Sequence, residues 1–182
     1  GRPRERLAAG WFQSADANGQ NATSAATRIT TCAAQRGTKR AAAMTLEARI
    51  NLCRSERQSA PLLPYESKPL LSLTAYIARQ SHGLPISIDA IAMSSTIANG
   101  RTIFGQRQGQ LNLSCANCHD ANWGRKLAGN TIPQGHPTGY PVYRLEWQGL
   151  GSLQRRLRNC LTGMRAQNYD YGSPELIALE AY

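Results

Sequence analysis

Cys115-Ala-Asn-Cys118-His119 decides how this chain is read. Two cysteines separated by two residues and followed at once by histidine form the attachment pattern of a c-type haem. The two thiols add to the two vinyl groups of the macrocycle, and the adjacent imidazole is placed to ligate the iron from one side. A structural zinc site would need a second Cys/His pair at ligand spacing. The five cysteines and three histidines of the chain offer none. One covalently bound haem c is therefore expected, held by Cys115, Cys118 and His119.

Composition fits that expectation and narrows the setting. The 182 residues allow one domain of ordinary size or two small ones. Hydrophobic residues make up 41% but aromatic residues only 7%, and a small domain short of aromatics gains from a prosthetic group that fills its core. No apolar run approaches the roughly eighteen residues of a membrane span. The opening Gly1-Arg-Pro-Arg-Glu-Arg6 is not followed by an apolar stretch, so any export signal is expected to have been removed. Haem attachment and paired cysteines point to the periplasm or an equivalent oxidising space. The net charge of +10 raises nucleic-acid binding, but the basic residues are scattered. A basic surface in the periplasm suits small anions or acidic proteins better.

The two halves of the chain echo each other. The second half runs through Gly100-Arg-Thr-Ile-Phe104, Cys115–His119, Arg156-Leu-Arg-Asn-Cys160 and Ser173-Pro-Glu-Leu176. The first half runs through Gly10-Trp-Phe12, Cys32-Ala-Ala-Gln-Arg36, Arg49-Ile-Asn-Leu-Cys53 and Lys68-Pro-Leu-Leu71. Each copy reads as an N-terminal helix with a buried aromatic, an attachment site or its relic, an Arg-x-x-x-Cys segment, and a helix begun by proline. Leu70, Leu73 and Ile77 share one stripe of the first such helix, and Leu176 with Leu179 does so in the second. Pro69 and Pro174 stand where a helix can start, and the linker runs through Gly83-Leu-Pro-Ile86.

In the first copy the haem motif is broken, because Gln35 and Arg36 stand where the second cysteine and the histidine belong. Cys32 and Cys53 then lack haem partners in an oxidising compartment, and a disulfide between them is expected to staple that half. Cys160 is the odd cysteine. The iron's sixth position is open to Met164, Met93, His136 or Cys160, and a thiolate there would favour ferric iron and a low potential. A helix is expected from Leu153 after Gly151-Ser152, with Leu153, Leu157 and Leu161 as its buried stripe and Gly163 as its end. Arg156 lies four residues before Cys160 and so shares its face, with Arg155 and Arg158 adding charge. Guanidinium groups lower a thiol's pKa and dock oxyanions through forked hydrogen bonds. The bland alternative is a solvated basic face that happens to carry a cysteine.

The stretches Asn112–Asp120, Gln134-Gly-His-Pro-Thr-Gly-Tyr-Pro-Val-Tyr-Arg144 and Gly151–Cys160 resemble the SoxA family, the larger subunits of the SoxAX cytochromes of thiosulfate-oxidising bacteria. Arg49–Gln58 and Leu73–Gln80 are similar to the same family. The likeness runs from about residue 45 to 182. It implies a mainly α fold of two tandem cytochrome c-like domains, residues 1–84 without haem and residues 85–182 with it. It implies an L-cysteine S-thiosulfotransferase, which oxidatively joins thiosulfate to a cysteine of the SoxYZ carrier, with electrons leaving through the haem to a SoxX monohaem partner. It also implies that His119 and Cys160 are the axial ligands, with Cys160 able to carry an extra sulfur as a persulfide, and that Arg156 is the substrate-binding arginine. An electron-transfer cytochrome without substrate chemistry is the rival reading, with Met164 or His136 as the sixth ligand.

Overall fold

The computed structural model describes residues 43–83, 88 and 90–182. Cys32, Gly10-Trp-Phe12 and most of the Gly83–Ile86 linker lie outside the described residues. Within them the fold is mainly α, with four very short strands.

Helix α1 spans Leu46–Gln58 and begins where the Thr45 hydroxyl accepts the Ala48 N–H. Helix α2 spans Lys68–Gln80, with Pro69 in its first turn as the sequence requires. The expected stripe meets α1. Ile50, Leu70 and Ile77 are buried together, with Leu73 and Leu63 packed against them. Asn51 fixes the intervening loop by donating to the Leu63 carbonyl and accepting its N–H, both at 2.9 Å.

The second half is built on a helix crossing. Helix α3 (Ser94–Gly105) packs on helix α6 (Pro174–Ala181), whose N-cap Ser173 accepts the Leu176 N–H. Gly100 is the point of contact. A Cβ there would stand 2.0 Å from the Ala178 carbonyl oxygen and 2.7 Å from Tyr182 Cβ, so only glycine allows this approach. Phe104, expected to be buried, is half-buried one turn further on. Its ring meets Tyr182 at 5.3 Å and His119 at 6.3 Å. The crossing is thus coupled to the haem-attachment segment.

Between these helices lie the one-turn helix α4 (Cys115–His119) and the hairpin of β1 (Lys126–Leu127) and β2 (Asn130–Thr131). A second antiparallel hairpin pairs β3 (Val142–Arg144) with β4 (Gly149–Gly151), joined through the 3₁₀ turn Leu145–Trp147. Helix α5 (Leu153–Gly163) follows at once, capped by the Ser152 hydroxyl. It starts and ends where the sequence indicates. Leu153 and Leu161 are buried, while Leu157 is half-buried.

The halves meet at the start of α5. Glu66, in the left-handed region at φ 61°, accepts the Ser152 N–H at 3.2 Å and pairs with Arg155 at 3.7 Å. Tyr65 stacks on Tyr171 with centroids 4.9 Å apart. No helix among the described residues is long and apolar enough to cross a membrane.

Candidate functional site

The attachment segment is locally determined. Ser114 and Asn117 form a reciprocal capping box, with each side chain bonding the other's backbone N–H. This holds Cys115, Cys118 and His119 on a single helical turn. Both thiols are free and half-buried. His119 Nδ1 lies 2.8 Å from the Pro133 carbonyl. A carbonyl only accepts, so Nδ1 carries the proton and Nε2 is left with its lone pair for a metal. Gly135 lies beside the same ring, where a Cβ would sit 3.4 Å from it. The neighbouring His136 is exposed.

Of the candidates for the opposite side, Cys160 is the one brought to the attachment cysteines. Its charge acts on Cys115, and that of Cys118 acts on Cys160. Met93 is instead a core residue, buried with Ala181. Met164 caps the C-terminus of α5. Burial pushes the Cys115 thiol up to about 11, with further repulsion from Cys160. Burial also pushes Cys160 above the ordinary thiol range, against the pull of Arg156 and Arg144. The expected lowering by arginine is therefore outweighed by desolvation.

The basic residues around Cys160 are not equivalent. Arg155 pairs with Glu66 and stacks on Trp147 at 4.6 Å. Arg158 donates to the Tyr169 carbonyl and stacks on Tyr171 at 4.5 Å. Arg144 is forked onto Glu146 at 2.9 and 3.3 Å and lies over Trp147. Arg156 has no side-chain partner among the described residues. Its charge falls on Cys160, on Tyr140 and on Glu146. Tyr140 and Arg144 were hidden in the stretch 134–144, where nothing in the spacing links them to Cys160.

Cys53 is buried on α1 and is not among the free thiols; its expected partner Cys32 lies outside the described residues. Among the described residues, no cluster of three or more His, Cys, Asp or Glu could hold a metal ion unaided.

A family model described as the SoxA/TsdA cytochrome c domain matches residues 37–86 and 99–182. The L-cysteine S-thiosulfotransferase subunit SoxA of Rhodovulum sulfidophilum is 39% identical over 140 residues, which are 76% of this chain and 48% of that protein. The same-named subunit of Allochromatium vinosum is 36% identical over 150 residues, 79% of this chain and 53% of the other. The crystal structure of SoxXA from P. pantotrophus aligns with a TM-score of 0.71 at 33% identity, covering 76% of this chain and 53% of that one. This chain spans about half the length of the curated relatives it matches.

A cytochrome c domain implies haem c, and the residues fit it. Two free thiols and an imidazole with Nε2 available share one turn. Leu111, Trp123 and Leu127, on the segments flanking that turn, are exposed apolar side chains of the kind a bound macrocycle would cover. With the family model matched across both halves, the chain belongs to the SoxA/TsdA cytochrome c domain family.

Proposed function

We propose that this chain is the SoxA-type subunit of an L-cysteine S-thiosulfotransferase, joining thiosulfate to a cysteine thiol of a SoxYZ-like carrier in the periplasm. The observation that carries the reading is Arg156. Of the four arginines of β3 and α5 it alone has no side-chain partner among the described residues, and it lies one helical turn before the half-buried Cys160, within reach of its charge.

The bond formed is between the carrier's sulfur and the outer sulfur of thiosulfate. The thiol proton is released, and two electrons must be removed for each bond made. Haem c, held by Cys115 and Cys118 and ligated by His119 and Cys160, supplies one-electron redox chemistry at this site when bound. Arg156 binds the dianion and orients its sulfur toward Cys160, which carries either a thiolate or a persulfide. Arg144 adds a second positive charge, and the Tyr140 hydroxyl lies within the field of both arginines. Thr162, Gly163 and Met164 close α5 beyond Cys160, so the cysteine sits near the C-terminal end of a capped helix.

The partner for the released electrons is a SoxX-like monohaem cytochrome, supported by the likeness to SoxXA. The wider organisation is part of the same proposal. Residues 1–84 form a cytochrome c-like domain in which a Cys32–Cys53 disulfide replaces haem, and residues 85–182 form the haem domain. The separate α1–α2 core supports the division.

The test is intact-mass analysis of the SoxYZ carrier after incubation with thiosulfate, the haem-loaded protein, its SoxX partner and an oxidised acceptor. A thiosulfate adduct on the carrier cysteine that disappears with Cys160→Met supports the reading. No adduct from a docked, haem-loaded complex would leave an electron-transfer cytochrome.

A further inference from the structure

Glu146 is a carboxylate placed among the groups that would bind an anion. It sits in the 3₁₀ turn between β3 and β4, half-exposed. Its two oxygens take the forked guanidinium of Arg144 at 2.9 and 3.3 Å. One of them also accepts the Asn159 side-chain N–H at 3.3 Å. Asn159 adjoins Cys160 on α5 and lies three residues from Arg156, hence on a neighbouring face. The turn is therefore tied to the helix beside the reactive position. Trp147 backs the arrangement, its ring packed where a Gly151 Cβ would be, with Arg144 on it at 5.4 Å.

From this geometry we infer that Glu146 is an affinity-tuning counter-ion for the anion site, holding Arg144 in place while offsetting part of the charge of Arg144 and Arg156. The inference rests on the proposed anion chemistry of Arg156. An ordinary surface pair contributes little to stability, but this one has a consequence for binding. Two guanidinium groups without a counter-ion would hold any dianion, reactive or not. With one carboxylate beside them the site carries a net single positive charge. Dianions, thiosulfate and sulfate alike, are then held more weakly, so that substrate and product exchange readily.

The experiment is titration calorimetry of the haem-loaded protein with thiosulfate and, separately, with sulfate. Glu146→Gln keeps an oxygen to accept from Arg144 but removes the charge. It is expected to tighten binding of both anions by roughly three- to tenfold at low ionic strength, with the gain shrinking in 0.5 M salt. Arg144→Gln is expected to weaken both by a similar factor. Equal or weaker binding by Glu146→Gln overturns the inference, as does absence of measurable thiosulfate binding in both proteins. Carrier-adduct formation is measured in parallel. Tighter anion binding in Glu146→Gln without any adduct from the wild type would sink the transferase reading and leave the counter-ion standing. An active wild type with unchanged affinities in the variant would do the reverse.

Discussion

Replacing Gly100 by alanine tests whether the α3–α6 crossing is what holds the second half together. The new methyl would stand 2.0 Å from the Ala178 carbonyl oxygen, 2.7 Å from the carbonyl carbon and 2.7 Å from Tyr182 Cβ. The contact must open to at least 3.4 Å, and the nearest obstacle is backbone that cannot rotate aside. The helices have to separate along their whole shared face, loosening Met93 against Ala181 and Phe104 against Tyr182. Overpacking of this kind costs about 1–3 kcal/mol, and a backbone obstacle places it at the upper end. Alanine's better helix propensity returns about 1 kcal/mol. The net loss is about 2 kcal/mol, which for a chain of this size lowers Tm by about 4–8 °C. Gly105, with nothing near its Cβ position, is the matched control. Gly105→Ala should leave stability unchanged or raise it by up to about 1 kcal/mol. Thermal unfolding of the haem-loaded proteins, followed by far-ultraviolet circular dichroism, reads both. A Gly100→Ala protein as stable as wild type would refute the close-crossing argument.

Other outcomes follow from particular contacts. Ser152→Ala removes the α5 cap and should cost about 1 kcal/mol in denaturant unfolding. Glu66→Ala strips the Ser152 N–H and Arg155 of their acceptor and should cost about 1–3 kcal/mol, an outcome absent if the halves are held apart by the linker alone. Glu180 is held well above the ordinary carboxyl range by burial and by the nearby Glu47, with the Gln154 amide pulling the other way. The folded protein therefore binds this proton more tightly than the unfolded chain. Stability is full below the ordinary carboxyl value and falls as pH rises through the folded one. Glu180→Gln should be more stable than wild type at pH 8, with the gap closing toward pH 4; a gap independent of pH would contradict the assignment.

Helix starts were the most legible part of the sequence. Proline in the first turn at Pro69 and Pro174, and Ser152 before Leu153, mark helix starts in the sequence, and a helix begins at each. The attachment turn was legible because its chemistry demands one spacing. What escaped the sequence depends on contacts between distant segments. Gln154 lies in a polar run and is nonetheless fully buried, its side chain accepting the Gly172 N–H. Arg144 and Glu146 gain their meaning only when the β3–β4 hairpin folds against α5. The upward shift of the Cys160 thiol is hidden from the sequence for the same reason. Charge near it could be counted in the sequence, whereas its burial, the larger influence, belongs to the tertiary fold.

The central claim is that one arginine of the cluster, and not the general positive charge, engages the substrate. It is tested most directly by the rate of carrier-adduct formation at limiting thiosulfate in Arg155→Ala, Arg156→Ala and Arg158→Ala, each haem-loaded and docked to the SoxX partner. Arg156→Ala should lose about 100-fold or more, while the two engaged arginines change the rate by only a few-fold at a shared protein stability. Equal losses in all three would mean that the site attracts thiosulfate by bulk charge, and the role given to Arg156 would be contradicted.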